Sequence, residues 1–366
     1  MVAMTERKSD IVIVGAGIAG CIAALALCRH YDVVVVDKLA KAKSKVGECL
    51  PPAASRILKK LDLLHLLQSP EHLTCHGMVS FWGSETPTIV DNVKNPDGLG
   101  WHLHRQHFEQ QLRDELVLRG VTLLSSAKLT NIVQAGSTWQ LQVEGKGTVT
   151  SITSSLLIDA TGRASHLARQ LGAKLQQFDK QMALWLTAEV ATTKQFAVIS
   201  DEENGWWYSA PSAACLRHNQ CMQPRVFSWQ ASAEVIKKSK ITTAQHFLSA
   251  VRQVRGFNTL VELVALPSAQ LQPMVSANSA RLDRCAGQGW YAVGDASMSF
   301  DPLSSQGMLH AMTSSMQLAD MLLLHSIDYK HGAKLYQSQM DRVWMHYLAH
   351  RQHFYEGSKL INLNSG

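Results

Sequence analysis

The chain lacks the features that mark several common classes of protein. Only 17% of its 366 residues are charged, against 46% that are hydrophobic, and this composition excludes an intrinsically disordered chain. The seven cysteines form no CxxC pair, so their spacing predicts neither a disulfide framework nor a metal site, and a reducing compartment is the better expectation. No basic cluster is interleaved with aromatic residues, which argues against a nucleic-acid partner.

Long apolar runs are scarce as well. The one long run, residues 11–28, is uncharged and follows Arg7 and Lys8; taken alone, it could be a signal peptide or a short membrane span. The placing of its glycines argues for another structure, described next. We therefore predict a cytoplasmic protein with no membrane partner. The net charge of +6 favours acidic partners only weakly.

The N-terminal segment has the pattern of a dinucleotide-binding β-α-β unit. A β-branched run at 10–14 predicts a strand, an alanine-rich helix follows three glycines, and a second strand at 33–36 ends at an acid. In such a unit the glycines allow a tight turn, a close approach of the pyrophosphate and close helix packing, and the acid accepts the ribose hydroxyls of the adenosine. The predicted cofactor contacts here are Gly15, Gly17, Ile18, Ala19, Gly20, Asp37 and Lys38.

Two later segments repeat the order of strand, glycine turn and helix start. Residues 156–165 contain the sequence DATG, and residues 290–296 end in GDA, with Pro302 and Gly307 downstream. Either segment by itself is equally compatible with an ordinary connection between a strand and a helix. Helical spacing further predicts helices over 53–68, 105–119 and 333–356, whereas 181–270 is rich in strand-forming residues.

The order of GxGxxG, DATG and GDA resembles that of the flavoprotein monooxygenases with the p-hydroxybenzoate hydroxylase fold. The resemblance covers roughly 10–60, 100–170 and 280–325, and it implies non-covalent FAD. It implies that Asp295 binds the ribityl chain or the pyrophosphate and that Arg105 approaches the phosphates, although a surface arginine at a helix start is the alternative. The further cofactor contacts predicted are Gly47, Thr161, Gly162, Gly294, Pro302, Gly307 and Met308.

The backbone from Pro302 to Met308 is implied to face the isoalloxazine ring, where a helix N-terminus would stabilise negative charge on reduced flavin. Thr161 stands where related hydroxylases carry an aspartate that helps to bind NAD(P)H. We therefore expect NAD(P)H to dock only transiently, or another electron donor to reduce the flavin.

The fold class predicted is α/β, with a doubly wound Rossmann-type FAD domain, an inserted β-rich substrate domain and a C-terminal helical segment. The FAD domain is predicted to combine 1–72, 99–177 and 271–330. The substrate domain would combine 73–98 and 178–270, and 331–366 would form C-terminal helices.

Within this fold the chain resembles the branch that contains the tryptophan halogenases. Val46-Gly47-Glu48 is similar to their loop beside the flavin, and 205–211 occupies the place of their WxWxIP signature, with Tyr208 and Ala210 as departures. Halogenases also need a lysine between flavin and substrate, and residues 72–83 contain none. This absence argues against halogenation.

The sequences GECLPP, GWWYSAP and RQHFYEGSK resemble flavoproteins that mature tryptophylquinone enzymes by hydroxylating a tryptophan of a partner polypeptide. This resemblance implies O₂ as co-substrate and a partner oxidase precursor as substrate. The alternatives are a small-molecule aromatic monooxygenase, a halogenase-like enzyme, a reductase that saturates double bonds, and an FAD-binding assembly factor without turnover. The candidate catalytic residues are Glu48, Tyr208 and Pro302, and the candidate substrate-pocket residues are Trp206, Asp301 and His310.

Three residue types leave alternatives open. Glu48 is either a proton-transfer group or a structural acid, and Cys49 is either a redox thiol near the flavin or a small buried residue. His102, His104 and His107 show no acidic partner at a consistent ligand spacing, so no metal is predicted.

Overall fold

The computed structural model describes residues 3–93, 95–192, 195–212, 222–325, 329–358 and 360. The helices in these ranges are α1 (Ile18–Leu27), α2 (Ala54–Lys60), α3 (Arg105–Leu118), α4 (His166–Gln170), α5 (Ala233–Lys238), α6 (Ala244–Val251), α7 (Asn258–Glu262), α8 (Gly307–His325) and α9 (Tyr329–Glu356). Short 3-10 turns cover Leu64–Gln68, Gly162–Ala164, Leu266–Ser268, Gly294–Ala296 and Pro302–Ser304.

The strands are β1 (Ala3–Val14), β2 (Val33–Asp37), β3 (Cys49–Leu50), β4 (Leu73–Cys75), β5 (Gly77–Phe81), β6 (Thr88–Asp91), β7 (Gly100–His102), β8 (Thr122–Ser125), β9 (Ala127–Ala135), β10 (Thr138–Gly145), β11 (Thr148–Asp159), β12 (Leu175–Gln177), β13 (Gln181–Ala191), β14 (Ala197–Glu202), β15 (Gly205–Pro211), β16 (Met222–Ser232), β17 (Gln270–Ser276), β18 (Ala280–Leu282), β19 (Ala286–Gly287), β20 (Trp290–Ala292) and β21 (Met298–Ser299).

A largely parallel sheet forms the centre of the molecule. Its order is β19-β20-β11-β1-β2-β8, and the pairs from β20 to β8 are all parallel. The runs Ile11–Val14 and Val33–Val36 are buried, as expected for strands covered on both faces. β9 and β10 extend this sheet as an antiparallel ribbon on β11.

The first strand is longer than the predicted 10–14. It begins at Ala3, and its outer half, up to Ser9, pairs with β11 alone, because the pairing with β2 starts only at Ile11. This outer half carries exposed charged and polar side chains. A search for buried apolar runs therefore does not detect it.

The predicted helix over 53–68 is wrong in its second half. α2 ends at Lys60, and Asp62 adopts a left-handed backbone with φ of 56°. The N–H of Leu63 then bonds back to the carbonyl of Leu58, the closure that commonly ends a helix. The sequence does not predict this helix end, because an aspartate occupies the left-handed position where glycine is usual.

A second sheet has the order β17-β13-β16-β15-β14-β5-β6, with strands from 77–91 and 181–276. Helices α5 to α7 cover one face, and the strand-rich pattern of 181–270 did not predict them. On that face Trp207 stacks on Trp229 with ring centroids 5.1 Å apart. Trp206 and Tyr208 point to the opposite face because side chains alternate along β15.

The C-terminal helix α9 links the two sheets. The Tyr355 hydroxyl donates to Asp301 Oδ2 at 2.6 Å and accepts from Trp206 Nε1 at 3.2 Å. The Tyr347 hydroxyl accepts from the backbone N–H of Asp301 at 3.0 Å. Near the C-terminus of the described chain, α9 is one helix of 28 residues. The predicted fold class, a doubly wound domain with an inserted β-rich part and a helical C-terminal segment, is confirmed.

Among the residues that the structure describes, no helix is both long and apolar enough to cross a membrane.

Candidate flavin site

The three glycine motifs meet at the carboxyl ends of the parallel strands. A Cβ on Gly15 would lie 2.3 Å from the carbonyl oxygen of Ala160, so the first glycine turn touches the DATG turn. A Cβ on Gly294 would lie 2.8 Å from the Cβ of Ala19, so the GDA turn touches the start of α1. The fold thus collects segments from three parts of the sequence at the edge where doubly wound sheets bind dinucleotides.

The second glycine of the first motif faces open space. The nearest atom to a Cβ on Gly17 would be Lys45 Nζ, 3.9 Å away. By contrast, a Cβ on Gly20 would lie 1.9 Å from the carbonyl oxygen of Gly15. Gly20 is therefore required for packing inside the protein, whereas Gly17 leaves a space in front of the α1 N-terminus, as a pyrophosphate needs.

Two cations border this space. Lys45 Nζ lies 2.6 Å from Glu109 Oε2, and Arg105 contacts Glu109 Oε1 at 2.7 Å and the carbonyl of Gly47 at 2.7 Å. Burial alone would raise the pKa of the Glu109 carboxyl, but the charges of Arg105 and Lys45 hold that pKa below its ordinary value. One buried carboxylate between two cations leaves a net positive charge, which suits a pyrophosphate.

Lys45 was missed as a cofactor residue by the sequence analysis. It stands in a run with Lys38, Lys41 and Lys43, a pattern typical of a solvated loop. What sets it apart is Glu109, sixty-four residues later on α3. Nothing in the sequence pairs the two residues.

Asp37 lies at the end of β2, and its carboxylate accepts two backbone N–H groups. Oδ2 accepts from Ala16 and Oδ1 from Leu39, each at 2.6 Å. Because each carboxylate oxygen can accept a second hydrogen bond, contact with ribose hydroxyls stays a proposal that this geometry permits. Lys38 is exposed beside it.

We expect Asp37→Ala to weaken FAD binding by about 1–3 kcal/mol, the scale of hydrogen bonds to a charged group. Fluorescence titration of the flavin-free protein with FAD measures this loss. Asp32→Ala is the matched control, since Asp32 also carries a negative charge but lies at the other end of β2 in an exposed pair with Arg7. Equal FAD affinity in the two variants would contradict a role for Asp37.

The DATG turn is built around a buried acid. Asp159 Oδ1 accepts from the N–H and the hydroxyl of Thr161, and Oδ2 accepts from the N–H of Ala168. Burial raises the pKa of Asp159, and these bonds fix the turn that starts α4. Gly162 has φ of +69° with no atom within 4 Å of its Cβ position, so it is open toward the proposed cofactor.

Asp295, the acid of the GDA turn, is half-buried. The closest charged partner among the described residues is Arg163, whose Nε lies 3.6 Å from Asp295 Oδ2. Arg163 also donates to the carbonyls of Asn278 and Phe300. Asp295 is thus held near the DATG turn, and its contact with the ribityl chain or the pyrophosphate stays a proposal.

The segment before α8 ends in an open helix start. Asp301 Oδ1 accepts from the N–H of Leu303 and caps the turn Pro302–Ser304. Ser305 then takes a left-handed backbone with φ of 50°, and α8 begins at Gly307, whose Cβ position has no atom within 4 Å. A 19-residue helix with a free N-terminus can stabilise negative charge on a bound group.

Glu48 and Tyr208 form the polar part of the candidate reaction site. Glu48 is 3% exposed, and its Oε2 has no hydrogen-bond partner among the described residues; the same is true of the Tyr208 hydroxyl. Burial raises the pKa of Glu48 to about 7, although the nearby Arg105 lowers it in part. Burial and then the charge of Cys49 raise the pKa of Tyr208.

One apolar cluster brings the candidate catalytic segments together. It contains Tyr208 and Ile199 of the second sheet, with Val46 and Cys49 on either side of Glu48 and with Leu303 next to Pro302. The sequence separates these segments by more than ninety residues, and the fold places them in one cluster.

The three candidate substrate-pocket residues are all buried. Trp206 is 1% exposed under α9, where it bonds to Tyr355, and Asp301 joins the same network. Burial raises the pKa of Asp301 to about 6. His310 lies apart from them, packed against Phe300, and burial lowers its pKa to about 4. The contact of these three residues with a substrate stays a proposal.

Two of the three histidines have an acidic partner in the fold, although none stands at a ligand spacing in the sequence. His104 Nδ1 lies 2.9 Å from Glu71 Oε2, and His107 Nδ1 lies 3.6 Å from Glu71 Oε1. Glu71 precedes β4, more than thirty residues before the histidines. The pairing arises because β4, which follows Glu71, pairs with β7, and β7 ends at His102 just before α3 begins.

These features can be compared with known proteins. The family model described as FAD binding domain matches residues 8–334. The chain belongs to this family. The flavoprotein therefore uses FAD, as predicted, and the glycine space, the two cations beside it and the open start of α8 fit the parts of that cofactor.

Similarity to individual flavin-dependent proteins supports the assignment to this family. The putative FAD-dependent oxidoreductase LodB of Marinomonas mediterranea is 25% identical over 363 residues, which are 96% of this chain and 93% of the relative. A tryptophan 2-halogenase of Chondromyces crocatus is 25% identical over 350 residues, 90% of this chain and 64% of the halogenase. The solved structure of the peptidyl tryptophan dihydroxylase QhpG, described as essential for tryptophylquinone cofactor biogenesis, matches with a TM-score of 0.74 at 20% identity, over 96% of this chain and 76% of that one.

The flavoprotein is thus an FAD-dependent oxidoreductase of the monooxygenase and halogenase group, which confirms the predicted enzyme class. Such an enzyme requires O₂ and a source of electrons.

Proposed function

We propose that the flavoprotein hydroxylates a tryptophan of a partner polypeptide, an oxidase precursor, during the formation of a tryptophylquinone cofactor. The observation that carries the proposal is the pair of buried, unpartnered groups, Glu48 Oε2 and the Tyr208 hydroxyl, at the junction of the two sheets. An indole N–H can only donate a hydrogen bond, and a carboxylate can only accept one. A bound indole would therefore donate to Glu48 Oε2, which has no donor within the described ranges of the chain.

The likeness to QhpG and the whole-length match to LodB support a polypeptide as substrate. The halogenase match supports an aromatic substrate of the same kind. Because residues 72–83 contain no lysine, we propose oxygen transfer without halogenation. The alternative that keeps the same chemistry is a small aromatic substrate.

Two helix N-termini and two cations are proposed to hold FAD. Lys45, Arg105 and the N-terminus of α1 would hold the pyrophosphate of FAD. When bound and reduced, FAD supplies the transfer of one oxygen atom from O₂ to an electron-rich ring. The N-terminus of α8 would stabilise negative charge on the ring system.

Glu48 is proposed to accept a proton from the substrate at Oε2. A pKa of about 7 leaves this carboxyl half-ionised at neutral pH, the condition under which a general base works best. The Tyr208 hydroxyl, for which the described part of the chain offers no acceptor, would orient the substrate beside it. We propose that the second sheet, on the face that carries Trp206 and Tyr208, forms the wall against which the substrate lies.

The test is oxygen transfer to a precursor polypeptide. The FAD-loaded protein, a chemical or NAD(P)H reductant and O₂ are incubated with the unmodified precursor of a quinone-containing oxidase, with N-acetyltryptophanamide and with free tryptophan. We expect a mass gain of whole oxygen atoms on a precursor tryptophan, and no product with either small molecule. Added chloride or bromide should give no halogenated tryptophan.

The outcomes separate the candidates. If N-acetyltryptophanamide is hydroxylated as fast as the precursor, the substrate is a small aromatic molecule and the polypeptide proposal is wrong. Incorporation of halide would assign a halogenase, and precursor maturation by a variant that cannot bind FAD would leave the protein a non-catalytic assembly factor.

A further inference from the structure

A three-stranded sheet beside the candidate site brings two cysteines and a histidine onto one face. β7 is its central strand, with β3 and β4 paired on either side. Cys49 is opposite His102, and Cys75 is opposite Gly100, two residues earlier on β7. Since alternate residues of a strand share a face, all three side chains project to the same side.

The ligand atoms converge there. Cys49 Sγ lies 4.0 Å from Cys75 Sγ and 3.4 Å from His102 Nδ1, and the three atoms all lie within 4.8 Å of one another. Gly100 makes this convergence possible, because a Cβ at that position would lie 2.7 Å from the carbonyl oxygen of Leu50 on β3 and 3.6 Å from the Cβ of Cys75 on β4. Any larger residue would push the outer strands apart.

The imidazole is already oriented as a ligand. His102 Nε2 lies 2.8 Å from the backbone carbonyl oxygen of Gln195, which can only accept a hydrogen bond. The proton therefore sits on Nε2, and the lone pair of Nδ1 points toward the sulfurs. Histidines that bind metals are usually held by this kind of bond from the second ring nitrogen to a carbonyl or carboxylate.

We propose that Cys49, Cys75 and His102 bind a zinc ion, a site that lies outside the FAD motifs and does not depend on the identity of the substrate. Around tetrahedral zinc, with Zn–S of about 2.3 Å and Zn–N of about 2.0 Å, two sulfurs stand about 3.8 Å apart and a sulfur and a nitrogen about 3.5 Å apart. The observed separations of 4.0 and 3.4 Å match these values. Thiolate and imidazole ligands select zinc over magnesium or calcium.

A disulfide between the same cysteines fits the geometry less well. The sulfurs would have to approach to about 2.05 Å, although Cys49 and Cys75 belong to strands on opposite sides of β7. A metal ion needs no such movement. The three residues supply three of the four ligands of a tetrahedral zinc.

The zinc would fix the loop of the reaction site. Cys49 follows Glu48 directly, so a bond from its sulfur to a metal held by β4 and β7 would also hold the Glu48 backbone in place. The sequence gives no hint of this site, because its ligands are spaced by 26 and 27 residues, far from the short spacings of known zinc motifs.

Metal analysis of the FAD-loaded protein tests the proposal. After expression with added zinc and dialysis without chelator, mass spectrometry of the elements should find about one zinc per chain. Cys75→Ser and Cys49→Ser should lose it. Cys28→Ser is the matched control and should keep it, because Cys28 is a free, half-buried cysteine whose sulfur donates a hydrogen bond to the carbonyl of Leu25 in its own helix.

Cobalt binding to the wild-type protein gives a second measurement, which does not depend on whether the cysteine variants fold. Wild-type protein stripped of metal and titrated with cobalt(II) chloride should show thiolate-bound tetrahedral cobalt absorption in the red, where oxidised flavin does not absorb. The proposal is overturned if wild type holds no more zinc than Cys75→Ser and shows no such absorption. It is equally overturned if intact mass shows Cys49 and Cys75 joined as a disulfide, with the loss of two hydrogen atoms, in the purified protein.

Discussion

Gly17→Val should abolish FAD binding and leave the fold intact. The structure explains both halves of this result, since the nearest atom to the new Cβ is Lys45 Nζ at 3.9 Å and the backbone of Gly17 is extended, with φ of −83°. Valine therefore fits the protein without FAD and occupies the place of the pyrophosphate. We expect a loss of at least about 100-fold in affinity, about 2.7 kcal/mol or more, by titration of the flavin-free protein.

The control is an exposed glycine that also has open space in front of it. At Gly357 the nearest atom to a Cβ would be the carbonyl oxygen of Phe354, 3.9 Å away, so Gly357→Val should bind FAD as wild type does. Circular dichroism of both variants checks the fold. Normal FAD affinity in a folded Gly17→Val protein would place the cofactor elsewhere and remove the basis of the assignment.

Glu48→Gln should slow oxygen transfer by about 10²- to 10⁴-fold, the contribution of a positioned general base, with FAD affinity unchanged. Wild-type activity should rise as the pH passes through about 7, where the raised pKa of Glu48 places its ionisation, and the variant should lose this dependence. Tyr208→Phe should also reduce the rate and keep the pH profile. Glu144→Gln, at an exposed acid of β10, controls for the change of charge.

Glu48→Gln should lower activity but raise the unfolding free energy at high pH. The pKa of Glu48 is about 7 in the folded protein against 4.5 as a free group, so between these values the unfolded chain is ionised and the folded chain is not. The unfolding free energy of wild type should therefore fall, by up to about 3 kcal/mol, as the pH rises from about 4.5 to 7. Glu48→Gln should lack this fall and be the more stable protein at about pH 8.

These two measurements distinguish the roles that the sequence left open. A structural acid in an ion pair would lose stability on conversion to glutamine, and the activity would follow FAD binding. Loss of activity with gained stability at high pH identifies a buried group kept for proton transfer. Equal activity of Glu48→Gln and wild type would exclude Glu48 from the chemistry.

The sequence by itself determined the cofactor and the fold class. Gly15, Gly17 and Gly20 act within one turn and one helix, and the buried strands on either side are uninterrupted apolar runs. Such local patterns depend on backbone conformation and on nearest neighbours along the chain, so they can be read without the fold. The same holds for the DATG and GDA turns, whose identity rests on short strands followed by glycine.

Only the tertiary structure decided which polar side chains act together. Lys45 looks like one lysine of a solvated loop until α3 places Glu109 beside it. Glu71 reaches His104 because β4 pairs with β7, the strand that leads into α3. The meeting of Cys49, Cys75 and His102 requires the pairing of three short strands. Burial, which sets the pKa of Glu48, depends on atoms from several distant segments, and no window of sequence contains them.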